Sequence, residues 1–323
     1  MRKRIKRLVT ILLSGVIAFG VVGCGDSGKS NSDNKTTDEV KAENTNKADD
    51  NKDNDSTENT GEVKKIKIGI GNSYNPFCYL DENEKQQGYD YWVTQEIQKR
   101  LPQYEFVYEA TEFSNILVGL DADKYDIAVH HYGWNAERNE KYLYAKIADW
   151  GGTGYVIAAA PGLDIKDEND LKGLYVQCSA TNNTSYLLEK FNETLPEDEK
   201  IHIVYDDASG EVLWNNVATG VYDATIPDEF SFDQSNPKYG NILEKYGHNV
   251  LGDVIAAEQE VSIPGTYFIY NFGDEQLRDD IDAALYDIIQ DGTLAELSEK
   301  YLGKDYITGT EDTLLILYDK DKQ

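Results

Sequence analysis

Two side chains of opposite charge could bind a small ligand that carries both signs. Asp228 follows the predicted strand 224–226, and the carboxyl end of a strand is where ligands of open α/β sheets bind. The alternative role for Asp228 is to cap the helix that follows. Arg138 offers a planar guanidinium suited to a carboxylate, or it forms a surface salt bridge with Glu137 or Glu140. Together, Arg138 and Asp228 could hold a carboxylate and an ammonium group.

Side chains suited to metal binding or nucleophilic catalysis are scarce. His130 and His131 are the only close pair of metal-type ligands, and adjacent residues of a strand face opposite sides, so we predict no metal site. Cys78 and Cys178 are predicted to be free, partly buried thiols. His131 is the only candidate for a general acid or base, and no nucleophile–base spacing or phosphate loop is present. We therefore predict no cofactor and no enzymatic activity.

The elements that must position these side chains alternate between strands and helices. Residues 63–70 alternate apolar and polar side chains, which predicts a strand with one buried face. A second, similar series of strands and helices follows Gly154. A long amphipathic helix, with its apolar face between Leu277 and Ile288, is predicted to open at Asp274 and close near Gly292, and Thr293 with Glu296 predicts a capping box for the last helix. Such alternation predicts two α/β lobes with mainly parallel sheets.

The amino-terminal residues are predicted to export and tether the protein. A basic start precedes the apolar stretch 8–22, as in a secretory signal, and that stretch is too short to span a membrane. The run Val21-Val22-Gly23-Cys24 resembles the lipobox of bacterial lipoproteins. We expect residues 1–23 to be a signal peptide and Cys24 to be lipidated. Residues 24–63 are almost wholly polar beyond Cys24, which predicts a disordered tether.

Composition narrows the class of partner. With 59 acidic and 31 basic side chains, the formal net charge is -28. Nucleic acid and anionic lipid headgroups both require basic surfaces, so neither is predicted as a direct partner. Roughly 260 residues follow the tether, which suits two lobes better than one core.

Five short motifs, in order along residues 64–308, resemble the family 3 extracellular solute-binding proteins, which are receptors of ABC importers for polar amino acids. The motifs are Asn75-Pro76-Phe77 before Gly88-Tyr89-Asp90; Lys124-Tyr125-Asp126-Ile127 before Ala136-Glu137-Arg138; Leu171-Lys172-Gly173 before Val176; Gly220-Val221-Tyr222-Asp223-Ala224 before Asp228; and Asp291-Gly292-Thr293 before Lys300-Tyr301. The resemblance implies a type II periplasmic-binding-protein fold, in which two α/β lobes are joined by two hinge crossings.

The resemblance also implies where the lobes begin and end. The crossings are expected near Thr153 and Ala257. Lobe 1 is then residues 64–152 plus 258–308, lobe 2 is residues 153–257, and residues 309–323 form a C-terminal tail packed on lobe 1.

The implied binding site places Arg138 at the ligand carboxylate and Asp228 at the ammonium group. Thr181, Asn182 and Asn183 lie where the family has a Gly-Thr-Thr-like turn whose amides meet the carboxylate, although the glycine is absent here. An N-cap role for Asn182 or Asn183 is the alternative.

Aromatic side chains are implied around the rest of the ligand. Tyr74 and Phe113 match positions that often enclose its side chain. His131 and Trp134 replace small hydroxylated residues of the family, and Asn135 stands where threonine is usual. The pocket is therefore expected to be reshaped, so the ligand's identity does not carry over.

The function predicted from these features is that of a lipid-anchored substrate-binding protein on the extracellular face of the membrane. It would bind a small ligand, an amino acid, between closing lobes and deliver it as a monomer to an ABC transporter permease. The alternatives are a ligand-sensing ectodomain that works with a membrane signalling protein, or a cleft enzyme of the same fold such as a dehydratase.

Overall fold

The computed structural model describes residues 63–206, 210–258, 265–315 and 317–318, which form two α/β lobes. The predicted signal peptide, the lipidated Cys24 and the tether up to residue 62 lie outside the described residues.

The strands lie between residues 64 and 270. In chain order they are β1 (Lys64–Gly71), β2 (Ser73–Tyr74), β3 (Cys78–Leu80), β4 (Gln86–Gln87), β5 (Tyr104–Thr111), β6 (Ile127–Gly133), β7 (Leu143–Tyr144), β8 (Ile157–Ala159), β9 (Tyr175–Cys178), β10 (His202–Tyr205), β11 (Ala224–Thr225), β12 (Glu244–Tyr246) and β13 (Thr266–Tyr270).

The helices connect these strands and close the chain. They are α1 (Tyr89–Arg100), α2 (Phe113–Asp121), α3 (Ala136–Lys141), α4 (Asn183–Glu193), α5 (Gly210–Ala218), α6 (Glu229–Ser235), α7 (Gly252–Glu258), α8 (Glu275–Gln290), α9 (Thr293–Leu302) and α10 (Glu311–Leu314), with 3₁₀ turns at Glu168–Leu171 and Asn236–Tyr239.

The first lobe is built on a sheet with the strand order β5-β1-β6-β13-β7. Strands β5, β1 and β6 are parallel, and β13 runs antiparallel to both β6 and β7. Ile66, Ile68 and Ile70 alternate along β1 and are fully buried. Gly69 is required between them because a Cβ there would lie 2.4 Å from the ring of Tyr125.

The second lobe repeats this arrangement. Its sheet has the order β10-β9-β11-β8-β12, in which β10, β9 and β11 are parallel and the last two strands are antiparallel. The first sheet takes its strands from residues 64–144 and 266–270, and the second from 157–246. The chain therefore passes between the lobes twice, in intervals that contain the predicted crossings near Thr153 and Ala257.

Each lobe has its own apolar core. The first joins β1, β6 and β13 to α1, α8 and α9, and the second packs α4 and α7 against β8, β9 and β11. Within the predicted tail, α10 places Leu314 in the first core, where it is fully buried. No helix among the described ranges has the length and apolar character needed to cross a membrane.

The long amphipathic helix predicted between Asp274 and Gly292 corresponds to α8, and it carries a buried carboxyl group. Asp282 is 1 % exposed, and its Oδ2 accepts a hydrogen bond from the backbone N–H of Lys146 at 3.0 Å. The Nε of Arg278 lies 3.9 Å from the same oxygen. Burial raises the pKa of Asp282 to about 7, although these two neighbours act to lower it.

This carboxyl group makes the free energy of unfolding depend on pH. Because the folded-state pKa lies above the value near 4 expected in the unfolded chain, the folded state binds the extra proton between these values. The contribution of this proton to the free energy of unfolding is complete below about pH 4 and is lost as pH rises to about 7. The total loss is on the order of 4 kcal/mol.

Asp282→Asn should remove that dependence. Its free energy of unfolding relative to wild type is expected to increase from pH 4 to pH 7 and then level off, as measured by guanidinium denaturation across this range. Asp287→Asn, on the exposed face of the same helix, is the matched control and should show a constant difference. A constant difference for Asp282→Asn as well would contradict the assigned proton.

Candidate ligand-binding site

A cavity of about 470 Å³ lies between the two lobes, where the carboxyl ends of their parallel strands face each other. This volume falls within the range of small-molecule sites. Seven of the nine predicted binding residues line it, and they are Tyr74, Phe113, His131, Arg138, Asn182, Asn183 and Asp228.

Arg138 reaches the cavity from the first turn of α3. Asn135 is the N-cap of α3, and its side chain accepts a hydrogen bond from the backbone N–H of Arg138 at 2.8 Å. The Nη1 of Arg138 donates to the carbonyl of Gly133 at 2.9 Å, and Nη2 donates to the carbonyl of Thr181 in the second lobe. The guanidinium is therefore oriented by backbone oxygens from both lobes.

The surface salt bridge considered for Arg138 does not form. Glu137 pairs with Lys141 at 2.7 Å, and Arg138 makes no ion pair with the described residues within 4.0 Å. Arg138 is 9 % exposed and also lies over the ring of Tyr132, 5.5 Å from its centroid. A buried cation without a fixed anionic partner at a cavity wall is suited to binding a ligand carboxylate.

Asp228 is both an N-cap and a wall of the cavity. Its Oδ1 accepts a hydrogen bond from the backbone N–H of Ser231 at 2.8 Å, which caps α6. Its Oδ2 lies 3.4 Å from the hydroxyl of Tyr74, across the cleft. The two roles weighed for Asp228 are therefore compatible, because each uses a different oxygen.

The polar side chains of the predicted anion-binding turn form hydrogen bonds largely with other groups of the protein. Asn182 is the N-cap of α4 and accepts from the N–H of Thr184 at 3.3 Å. The side chain of Asn183 accepts from Asn135 at 3.1 Å and donates to the hydroxyl of Tyr155 at 3.2 Å. Thr181 is not among the residues that line the cavity, and its carbonyl instead orients Arg138.

A histidine that the sequence analysis did not select completes the aromatic wall. The ring of His130 stacks on Tyr74 with centroids 5.4 Å apart and lies 4.5 Å from Phe113. Burial lowers the pKa of His130 to about 4, so the imidazole is neutral at physiological pH. Trp134, which was predicted to line the pocket, does not do so and packs near Tyr144.

His130 and His131 both contribute to the cavity wall, but the ring of His131 packs against Phe77 and Trp150, with centroids 3.8 and 4.7 Å away. The φ of His131 is 53°, and the pairing of β6 with β13 shifts register beside it, so a bulge breaks the alternation. Both ring nitrogens of His131 are buried. Among the residues that the structure describes, no group of three metal-type side chains could hold a metal ion.

A buried acidic group lies behind His131. The Nδ1 of His131 is 3.8 Å from Oδ1 of Asp90, and Asp90 is fully buried. Asp149 is also buried, and its Oδ1 accepts a hydrogen bond from the hydroxyl of Thr266 at 2.8 Å. Burial, reinforced by the charge of Asp90, raises the pKa of Asp149 well above its usual value.

Both cysteines of the described residues are free and buried. Cys178 ends β9 and contributes to the cavity wall. Burial raises the pKa of the Cys178 thiol to about 12. The pKa of Cys78 is raised well above its usual value, again chiefly by burial.

Two α/β lobes around one cavity define a two-lobed ligand-binding protein, and the predicted type II periplasmic-binding-protein fold is confirmed by solved structures. The chain belongs to the bacterial extracellular solute-binding proteins, family 3, whose profile matches residues 66–304. It is an extracellular solute-binding protein, as predicted. Its relatives are transport proteins, so the prediction that it is not an enzyme is also confirmed.

Two relatives from Bacillus subtilis are named for the amino acid they bind. The chain is 37 % identical over 246 residues to the L-cystine-binding protein TcyK, with 76 % of this chain and 86 % of the relative covered. It is 32 % identical over 245 residues to the L-cystine-binding protein TcyJ, with the same coverage.

Two solved structures are similar throughout the two lobes. One is described as a putative L-cystine ABC transporter from Listeria monocytogenes, with a TM-score of 0.66, 35 % identity, and coverage of 76 % of this chain and 99 % of that one. The other comes from work on glutathione import through GshT and the cystine importer TcyBC of Streptococcus mutans, with a TM-score of 0.67, 29 % identity, and coverage of 77 % and 99 %.

Proposed function

We propose that this protein is an L-cystine receptor of an ABC importer. The observation that carries the proposal is the placement of Arg138 and Asp228 on the wall of one cavity. A guanidinium and a carboxylate together match the carboxylate and ammonium groups of an α-amino acid. The names of the two Bacillus relatives support cystine as the particular amino acid.

The remaining binding residues follow from this assignment. Tyr74, Phe113 and the neutral His130 would pack against the apolar and sulfur-containing middle of the ligand. Asn182 and Asn183, at the start of α4, would assist Arg138 in holding the carboxylate.

The setting of the receptor is also part of the proposal. Cys24 would carry the lipid, and the protein would act as a monomer at the extracellular face of the membrane. Closure of the two lobes would trap the ligand and present the closed form to the permease. Metabolic labelling with a fatty acid should mark the wild type, and Cys24→Ser should abolish the label and release the protein into the medium.

Ligand identity is tested by thermal melting of the protein against cystine, other amino acids, glutathione, polyamines and sugars. A ligand that binds only the folded state raises the melting midpoint, and at 100 times its Kd it adds about 2.7 kcal/mol. We expect the largest shift with cystine. A larger shift with another amino acid would overturn cystine specificity, whereas shifts only with sugars or polyamines would overturn the site itself.

A further inference from the structure

The cavity has a second polar end, at the edge strand of the first sheet. Glu112 follows β5 and lines the cavity there, together with Ser73 and Ser114. Its carboxylate accepts a hydrogen bond from the side chain of Asn72 at 2.9 Å and is otherwise exposed. Glu112 is also the N-cap of α2, yet its side chain makes no capping hydrogen bond, so the carboxylate is directed away from the helix.

The strand spacing of the first sheet sets the distance between this end of the cavity and the end that contains Arg138. Ile70 of β1 pairs with Ala110 of β5 on one side and with Val129 of β6 on the other. Adjacent strands are about 4.8 Å apart, so the ends of β5 and β6 are separated by roughly 10 Å. Glu112 follows the first of these strands, and Arg138 is anchored on Gly133 at the end of the second.

The charges on the cavity wall are unequal. Two carboxylates, Glu112 and Asp228, face one guanidinium, that of Arg138. His130 does not alter this balance, because its lowered pKa keeps the ring neutral. A ligand with one ammonium group would leave the second carboxylate without a partner of opposite charge.

We propose that Glu112 binds the second ammonium group of a ligand that is an amino acid at both ends. The proposal rests on the proposed function and extends it, because cystine is such a ligand. Its two Cα atoms lie roughly 4.4–6.8 Å apart, and each ammonium nitrogen adds about 1.5 Å. The two nitrogens of an extended cystine are thus roughly 7–10 Å apart, a span comparable with the roughly 10 Å between the two strand ends.

The same geometry discriminates against glutathione. Its γ-glutamyl end is an α-amino acid that could occupy Arg138 and Asp228, but its far end carries a carboxylate and no ammonium group. Glu112 would repel that carboxylate. In cystine the second carboxylate is accompanied by an ammonium group and can turn toward the hydroxyls of Ser73 and Ser114.

The test is isothermal titration of wild type and Glu112→Gln with L-cystine and with S-methyl-L-cysteine, which lacks the second amino-acid end. Glu112→Gln is expected to weaken cystine binding about tenfold and to leave S-methyl-L-cysteine binding unchanged. Glutathione binding should be unchanged or stronger in the variant. Glu105→Gln removes an exposed charge from the same strand away from the cavity and serves as the control.

The outcomes separate this inference from the proposed function. Equal losses for both ligands, or no loss for cystine, would overturn the role of Glu112 while cystine specificity stands. If wild type ignores cystine but binds lysine, and Glu112→Gln weakens lysine, then Glu112 binds a second ammonium group and cystine specificity is wrong. If wild type binds neither cystine nor lysine, both the role of Glu112 and the proposed function are wrong.

Discussion

Arg138→Ala is expected to weaken amino-acid binding by about 10²–10³-fold, the largest effect of any single change in the cavity. The guanidinium would form charge-assisted hydrogen bonds with the ligand carboxylate in a site that excludes most water. Its loss leaves that carboxylate in the cleft without a cation, which costs about 3–4 kcal/mol. Titration calorimetry with the ligand identified by melting measures the effect directly.

Two further variants separate the effect of the planar guanidinium from the effect of its positive charge and from any effect on protein stability. Arg138→Lys keeps the charge but loses the planar fork, so an intermediate affinity is expected. Lys141→Ala removes an exposed cation from the same helix and should bind as wild type. Because Arg138 also contacts the carbonyls of Gly133 and Thr181, the ligand-free melting midpoint must be compared. Unchanged affinity in Arg138→Ala would show that the guanidinium holds only the protein.

The second large effect is expected at Asp228, where one side chain has two tasks. Asp228→Ala should weaken binding by about 10²-fold and also lower the free energy of unfolding by about 1 kcal/mol, because both the ammonium partner and the N-cap of α6 are lost. Calorimetric titration and chemical denaturation measure the two losses independently.

Asp228→Ser distinguishes the tasks. Serine is a good N-cap, so most of the stability should return, whereas a neutral hydroxyl cannot replace the carboxylate in binding an ammonium group. If Asp228→Ser restored affinity along with stability, the aspartate would be a cap alone.

The elements with strong periodicity were the most predictable from sequence. The alternating β1 and the amphipathic α8 have the expected types and nearly the expected bounds, because their burial follows a single repeating face. The capping box predicted from Thr293 does not form. The N-cap is Gly292 with φ 84°, and Thr293 is the first helical residue, its N–H bonded to the side chain of Asp291.

The site was predictable at Asp228, where a charged residue follows a strand end, and at Arg138, whose role the family resemblance implies. It was not predictable where backbone irregularity decides which side chain faces the cavity. The bulge at His131 interrupts the alternation of side chains along β6, and no local sequence pattern predicts it. Glu112 directly follows the end of β5, but nothing in its sequence neighbourhood marks it apart from other surface acids.

The free thiol in the cavity wall bears on the chemistry of a disulfide cargo. Thiol–disulfide exchange requires a thiolate, and with a pKa of about 12 only on the order of one Cys178 in 10⁵ is ionised at neutral pH. A bound disulfide would therefore rest beside sulfur without exchanging with it during a binding cycle. Burial thus makes the receptor chemically inert toward the bond it is proposed to carry, so cargo would leave the cleft in the oxidation state in which it entered.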